Sequence, residues 1–194
     1  MSRIPLLTAI SVAACALALG GCSREADVPG DANRAEANVP AIEPVAPQSF
    51  ALAGGDGTVL GGVTLTEDAN GATFKIDAAG MPAGMHGVHL HEKGLCEGPK
   101  FTSAGAHWNP GGNQHGRDNP QGSHLGDLAN FDVPASGSGS TNLMLAGVTM
   151  SGVGALADAD GTSLVIHAKP DDYKTDPSGD SGDRIACAVV AAAK

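Results

Sequence analysis

The chain has 194 residues, a formal charge of −10, 28 glycines and only 3% aromatic residues. An acidic chain without a basic patch is unsuited to binding a polyanion, which argues against nucleic acid as a partner. Once the two N-terminal segments described next are set aside, about 140 residues remain, which is the size of a single domain with its own core.

The first 21 residues are typical of a bacterial export signal. An arginine precedes an apolar run over residues 4–19, which is too short and too poorly flanked for a membrane-spanning helix. The run ends in the sequence LGGC, which resembles a lipoprotein signal and predicts a lipid anchor on Cys22. Simple cleavage after residue 18, without a lipid, is the alternative. Either way we expect a periplasmic or cell-envelope protein, and the lipid would attach it to a membrane.

Residues 22–50 are predicted to form a disordered tether. The stretch is rich in alanine, proline and acidic residues, and from Ser23 to Gln48 it has no aromatic residue, so it cannot bury enough apolar surface to fold. A flexible coil of this length would reach about 30 Å, from ~5–6 Å × √n. We therefore expect the folded domain to occupy residues 51–194.

Short alternating runs predict antiparallel strands after the tether. Apolar and polar residues alternate at 62–66, 72–76 and 162–166, and Asn70-Gly71 and Asp160-Gly161 mark turns. No long stretch of this part keeps apolar residues at helical spacing. The pattern favours an all-β protein, either an antiparallel sandwich or a barrel.

All seven histidines lie between positions 86 and 167. His89 and His91 alternate within an apolar run, so in a strand they share one face, whereas His86 has the opposite parity. Neutral imidazole is a good ligand for both copper and zinc. A His-x-His pair alone is equally compatible with two polar surface residues.

A second group of candidate ligands lies in a stretch rich in glycine, asparagine and proline, which predicts a loop. It contains His107, His115, His124 and Asp127. Three imidazoles and one carboxylate form a closed tetrahedral set typical of zinc, and a metal would supply the order that the loop composition does not. A solvated polar loop is the alternative. His167 stands alone at a strand end, where a histidine is more often structural.

Two cysteines remain in the predicted domain, because Cys15 leaves with the signal and Cys22 is the lipid site. In an oxidising compartment Cys96 and Cys187 predict one disulfide, with two free buried thiols as the alternative. The bond would close a loop of roughly ninety residues and stabilise the fold by roughly 4–5 kcal/mol on the chain-entropy model.

Five segments, in order, resemble the signature segments of copper/zinc superoxide dismutases. The first reads GMHGVHLHE, the second SAGAHWNP and the last GDRIAC, and the five lie at 84–92, 103–110, 124–128, 164–169 and 182–187. The resemblance covers roughly residues 50–194. It implies an antiparallel Greek-key sandwich or flattened barrel with long metal-binding and electrostatic loops, since this family is itself a standard member of the sandwich architectures.

The resemblance also implies a role for each matching residue. Copper would be held by His89, His91, His107 and His167, and zinc by His107, His115, His124 and Asp127. His107 would therefore bridge the two metals, and His86 would be structural. Asp171 matches a carboxylate that accepts hydrogen bonds from one copper-ligand and one zinc-ligand histidine, which fixes both rings. Arg184 matches the arginine that holds the anionic substrate beside copper.

The implied reaction is the dismutation of superoxide to dioxygen and hydrogen peroxide. Copper would cycle between two valences and zinc would be structural. His107 would give a proton to the product as a general acid, and Arg184 would hold the anion through charge-assisted hydrogen bonds. A module of the same fold that only carries copper and zinc is the alternative, but such a module would not need the arginine. The family contains monomers and dimers, so a homodimer stays open.

Two departures from the animal enzymes concern loops. Cys96 lies closer to the His-x-His pair, and the segment from His167 to Arg184 is shorter, which puts the charged guidance loop in doubt. Residues 51–194 carry eight Lys or Arg against sixteen Asp or Glu, so their overall field should repel superoxide. The family is a standard example of electrostatic steering, and here only charge near the channel mouth, with Lys174 as a candidate, could provide it.

Overall fold

The computed structural model describes residues 46–152 and 154–194. Within them, nine strands and one short 3-10 turn over Thr102–Ala104 are joined by long loops. The strands are β1 (Gln48–Gly54), β2 (Val59–Asp68), β3 (Gly71–Ala79), β4 (Gly84–His86), β5 (Val88–His91), β6 (Phe131–Val133), β7 (Ser138–Ala146), β8 (Thr162–His167) and β9 (Arg184–Ala191). No helix in the described part of the chain has the length and apolar character needed to cross a membrane.

Seven strands form one curved antiparallel sheet in the order β5-β8-β9-β1-β2-β3-β7, while β4 pairs with β6. The sheet neighbour of β3 is β7 rather than the next strand in the sequence. The chain between β3 and β7 therefore forms the long return connection of a Greek key. The predicted all-β antiparallel class is confirmed. The three alternating runs that predicted strands lie within β2, β3 and β8.

Alternate residues of the strands form the main core on one face of the sheet. In β2 and β3 the paired residues Val63 and Ile76, and Leu65 and Phe74, point to this face and are buried. Burying each such side chain contributes about 1.5–3 kcal/mol relative to leaving it exposed. Val88 and Leu90 of β5 join the same core.

Strands β5 and β8 are buried on both faces. Because side chains alternate, His89 and His91 point away from the main core, as their parity predicted. The loop that follows β5 folds over this outer face and forms a second, smaller cluster of buried residues, namely Phe101, Ala104, Val165 and Cys187. The histidines on the outer face of the sheet are therefore shielded from solvent.

The predicted signal over residues 1–21 and the lipid site Cys22 lie outside the described residues. Most of the predicted tether does too, but its last three residues belong to β1, which begins at Gln48. Gln48, Ser49 and Phe50 pair with β2. A pairing partner this distant in sequence is not visible in local composition, so the strand starts earlier than the boundary placed at residue 51.

Candidate metal centre

The free edge of β5 positions two loops that carry candidate ligands. Trp108 N donates a hydrogen bond to Leu90 O at 2.8 Å, and Leu90 N donates to Gly126 O at 2.9 Å. These bonds hold the backbone next to His107 and Asp127 against the strand. Gly126 is needed there, because a Cβ atom would lie 2.6 Å from Leu90 O.

Four histidines form the first ligand group, with one ring nitrogen of each within 4.8 Å of the others: His89, His91, His107 and His167. Four buried nitrogens in this group have no hydrogen-bond partner, namely Nδ1 of His89 and Nε2 of the other three. An unsatisfied buried polar atom costs about 1–3 kcal/mol, so native structures rarely leave several together. A cation that binds imidazole would satisfy all four nitrogens at once.

The second nitrogen of each ring is fixed by an oxygen atom. The contacts are His89 Nε2 to Asp171 Oδ2 at 2.9 Å, His91 Nδ1 to Gly105 O at 3.0 Å, His107 Nδ1 to Asp127 Oδ1 at 3.1 Å and His167 Nδ1 to Gly182 O at 3.2 Å. This network assigns the tautomer of three rings: His89, His91 and His167 each carry the proton on the nitrogen that bonds to an oxygen atom. The unpartnered nitrogen of each then keeps a lone pair that can bind a metal.

Burial keeps the first group neutral. It lowers the pKa of His91 to about 2 and that of His167 to about 3. It also lowers the pKa of His107 to about 4, although a hydrogen bond with Asp127 opposes the shift. The pKa of His89 falls for the same reason. Because metals bind the neutral form of imidazole, these rings are ready to bind at neutral pH.

The second ligand group converges on one oxygen atom of Asp127. Nδ1 of His107, His115 and His124 lies 3.1, 3.0 and 3.1 Å from Oδ1. A tetrahedron with metal–ligand bonds of about 2.0 Å has edges of about 3.3 Å, so these separations are close to those of a zinc site. The other carboxylate oxygen, Oδ2, accepts hydrogen bonds from the backbone N of Gly116 and of His124.

His89 also comes close to this second group. One ligand atom each of His89, His107, His115 and Asp127 lies within 4.8 Å of the others, a set that leaves out His124. We favour His124 as the fourth member because its Nδ1 contacts Asp127 directly. His89 instead uses Nε2 to bind Asp171, and its unpartnered Nδ1 belongs to the first group.

The carboxylates of Asp127 and Asp171 favour a positive charge at the second ligand group. Burial opposes protonation of His115, but hydrogen bonds to Asp127 and Asp171 outweigh it and raise its pKa to about 9. Burial would raise the pKa of both carboxyl groups, yet bonds from histidines hold each well below its usual range. Without a metal, a proton on His115 supplies the missing charge. A bound cation would supply it in the same place and displace that proton.

Asp171 joins the two ligand groups. Its Oδ2 accepts a hydrogen bond from His89 Nε2 at 2.9 Å, and its Oδ1 accepts one from His115 Nε2 at 3.0 Å. The family resemblance predicted a carboxylate with this pair of bonds at position 171. Such a carboxylate fixes the orientation of one ring in each group.

A cavity of about 290 Å³ is bounded by Arg184 and by His107 and His167 of the first group. The guanidinium of Arg184 donates from Nη1 to Phe101 O and from Nη2 to Gly105 O, both at 2.7 Å. These two bonds fix the group at the cavity wall. A guanidinium has five N–H donors, so three remain to bind an anion.

The disulfide predicted from the cysteine count is confirmed, with Cys96 and Cys187 bonded and their Cα atoms 5.7 Å apart. His86 lies outside both ligand groups, as its strand parity indicated. Its Nδ1 is 2.7 Å from His167 O and its Nε2 is 3.0 Å from Pro82 O, so it joins two backbone segments.

Comparison with known proteins identifies the family. A family model described as copper/zinc superoxide dismutase matches residues 59–190. A superoxide dismutase [Cu-Zn] of Caulobacter vibrioides is 44% identical over 140 residues, which cover 70% of this chain and 80% of the relative. The chain belongs to the copper/zinc superoxide dismutase family.

Solved structures of similar proteins agree with this membership. A SOD-like protein from Bacillus subtilis is 35% identical, with a TM-score of 0.72, and the match covers 75% of this chain and 99% of that one. A Cu/Zn superoxide dismutase from Brucella abortus is 27% identical, with a TM-score of 0.59 and the same coverage of both chains.

Copper and zinc, the metals of the copper/zinc superoxide dismutase family, both fit the residues present. An all-imidazole group with unpartnered nitrogens suits copper, and three imidazoles with one carboxylate suit zinc. Two contacts that support this centre could not be predicted from the sequence. Asp176 Oδ1 accepts a hydrogen bond from His115 N at 2.6 Å, and Asn130 bonds to the backbone of Asp171. Both contacts join residues more than forty positions apart.

Proposed function

We propose that this protein dismutates superoxide, with copper at His89, His91, His107 and His167 and zinc at His107, His115, His124 and Asp127. The observation that carries the proposal is the set of four unpartnered nitrogens beside a cavity walled by Arg184. When bound, copper supplies the one-electron redox chemistry that turns two superoxide ions and two protons into dioxygen and hydrogen peroxide. A group of three histidines and an aspartate holds zinc for structure, since zinc has no redox chemistry.

Arg184 binds and orients the anionic substrate. Two of its donors are used by backbone carbonyls, which holds the planar group still, and the remaining donors can bind superoxide in the cavity. Charge-assisted hydrogen bonds of this kind are roughly twice as strong as neutral ones. Burial lowers the pKa of Arg184, but a guanidinium stays charged in proteins.

His107 is the residue that would move a proton. It belongs to both ligand groups, with Nε2 facing the first and Nδ1 contacting Asp127 of the second. Its ring lies at the cavity, within reach of the product anion. Because the Nδ1 side anchors the ring, Nε2 can take up a proton and deliver it to the product as a general acid.

A protein that only carries copper and zinc is the alternative function. The cavity and the fixed guanidinium favour the enzyme, because a carrier needs no site for a small anion. The visible absorption of Cu(II) in the copper- and zinc-loaded protein distinguishes the two during successive additions of superoxide. The enzyme should settle at a partly bleached level that further additions leave unchanged, because superoxide both reduces and reoxidises its copper. Bleaching that proceeds to completion would support the carrier, whose copper is reduced and not reoxidised.

We further propose that the enzyme acts in a bacterial cell envelope, attached to a membrane by lipid on Cys22. The support is the LGGC sequence after an apolar run, together with the disulfide, which persists in oxidising compartments. A homodimer stays a prediction, which sedimentation of the soluble variant described next would test.

Cys22→Ala should move the protein from the membrane fraction to the soluble fraction and leave specific activity unchanged, because residue 22 belongs to neither ligand group and lies outside the predicted domain. Several acyl chains anchor a bacterial lipoprotein, whereas one chain binds only marginally. Ser23→Ala, which keeps the cysteine, is the matched control and should stay with the membrane. Wild-type protein recovered in the soluble envelope fraction would support simple cleavage instead.

A further inference from the structure

Residues outside both ligand groups fasten the loop that carries His115 and Asp127 to the segment that carries Asp171. At their centre is Tyr173, the single tyrosine of the chain. Its backbone N donates to Asp171 Oδ1 at 2.6 Å, the same oxygen that accepts from His115 Nε2. The carboxylate between the two groups is therefore held partly by the backbone of residue 173.

The backbone of Tyr173 has an unusual conformation. Its φ is 62°, in the left-handed region that bulky residues avoid and that persists only when surrounding contacts enforce it. Rotation about the N–Cα bond leaves the N–H in place and turns the ring and the carbonyl, so in the common right-handed conformation Tyr173 could not bond Asp171 and also reach the same neighbours with its ring and carbonyl. Contacts that hold the ring and the carbonyl of Tyr173 therefore also hold its N–H beside Asp171 Oδ1.

Contacts from the loop that carries His115 and Asp127 enforce this conformation. The phenol oxygen of Tyr173 accepts a hydrogen bond from Asn130 N at 2.9 Å. Arg117 Cζ lies 3.7 Å from the centre of the tyrosine ring, a cation–π contact. Tyr173 O accepts from Asp118 N at 3.0 Å. The tyrosine is held through its ring, its hydroxyl and its backbone.

Asn130 holds Asp171 from the other side. Its Nδ2 donates to Asp171 O, and its Oδ1 accepts from Asp171 N, both at 2.9 Å. It follows the ligand Asp127 by three residues. Gly116 also joins the two segments, because its N donates to Asp127 Oδ2 at 2.9 Å and a Cβ atom would clash with Tyr173 O.

We propose that Tyr173, held by Arg117 and Asn130, is a positioning residue for the Asp171 carboxylate and sets how long the second ligand group retains its metal. Arg117, Asn130 and Tyr173 are called the clamp below. The inference rests on the assignment of zinc to that group. It gives the clamp no contact with substrate, so the clamp acts only through Asp171 and His115.

The test measures zinc release from the copper- and zinc-loaded full-length protein into an excess of chelator. Tyr173→Phe removes the hydroxyl and keeps the ring, and should release zinc about fivefold faster, as expected for one lost hydrogen bond. Tyr173→Ala removes the hydroxyl and the ring together and should release zinc more than about tenfold faster. Arg117→Gln should release zinc about threefold faster, because it loses an exposed cation–π contact. Lys75→Gln, a cation on β3 away from the clamp, is the matched control and should not differ from wild type.

A second readout separates positioning from general stability. Cobalt(II) in the second ligand group has absorption bands that report ligand geometry. The bands should shift in Tyr173→Ala and should stay close to those of the wild type in Tyr173→Phe, which keeps the ring and backbone. Faster zinc release that only parallels a lower melting temperature of the metal-free protein, with unchanged cobalt bands, would overturn the proposal.

Equal zinc release from the wild type and both Tyr173 variants would also overturn it. Failure of the zinc assignment itself gives a different result. In that case the wild-type protein would retain no zinc and show no tetrahedral cobalt bands before any clamp residue is changed.

Discussion

The ligand histidines differ in which ring nitrogen is hydrogen-bonded to the rest of the protein. His89 is fixed through Nε2 and presents Nδ1, whereas His91 and His167 are fixed through Nδ1 and present Nε2. Each choice follows from the oxygen atom that faces the ring, either a backbone carbonyl or Asp171. Losing an orienting contact of this kind typically lowers metal affinity or activity by about 10- to 100-fold.

Arg184 is the residue whose removal best separates substrate binding from metal binding. Arg184→Ala should keep both metals, because within the described residues the hydrogen bonds of the guanidinium go to the carbonyls of Phe101 and Gly105 and not to a ligand side chain. Losing a charge-assisted contact to superoxide should slow the reaction roughly tenfold, or about 1.4 kcal/mol. Rates from pulse radiolysis and metal contents from elemental analysis check both parts.

Lys75→Ala is the control for this experiment, since it removes one positive charge on β3 and leaves the cavity intact. Its rate should equal that of the wild type. An Arg184→Ala rate that also equals the wild-type rate would mean that the arginine only supports the loop around Phe101.

Strand β5 shows which parts of the centre can be predicted from the sequence. Its alternating pattern predicted that His89 and His91 share a face, because side-chain direction in a strand is a local property. Which nitrogen of each ring is hydrogen-bonded to the protein could not be predicted, because it depends on the position of partners such as Asp171, which is 82 positions from His89. The same holds for the clamp, whose tyrosine and asparagine are 43 positions apart.

The disulfide ties β9 to the loop that follows β5. That loop provides the two carbonyls that hold Arg184, so the bond supports both the fold and the cavity wall. Replacing Cys96 and Cys187 by alanine should lower the free energy of unfolding by roughly 4–5 kcal/mol on the chain-entropy model for a loop of this length. It should also slow superoxide consumption, because Arg184 loses part of its support.

Thermal unfolding of the oxidised protein, of the reduced protein and of the double alanine variant measures this effect. The reduced protein and the variant should melt at similar, lower temperatures. A reduced protein that melts with the oxidised one, or free thiols in protein recovered from the envelope, would contradict it.

The charge of the whole domain opposes the approach of superoxide, but the charge near the centre favours it. Arg184 is the single Lys or Arg, and no Asp or Glu is present, among the described residues that line the cavity. Asp176, one of the acidic residues in the neighbouring segment, already accepts a hydrogen bond from His115 N. Physiological salt screens exposed charges beyond about 8 Å, so local charge should dominate.

The rate of superoxide consumption should therefore fall modestly as salt rises. Lys174 is an exposed cation in the segment between β8 and β9, and Lys174→Ala should flatten this dependence. Stopped-flow rates over a salt series decide the matter. A rate that rises with salt would show that the aspartates of this segment control the approach.

Catalytic turnover and product yields together are the most direct test of dismutation at copper in the first ligand group. Protein loaded with copper and zinc should consume many superoxide ions per chain and form one dioxygen and one hydrogen peroxide for every two consumed. Protein loaded with zinc alone should leave superoxide to decay at its uncatalysed rate. Equal decay with and without copper, or no more than one superoxide consumed per copper, would contradict the account.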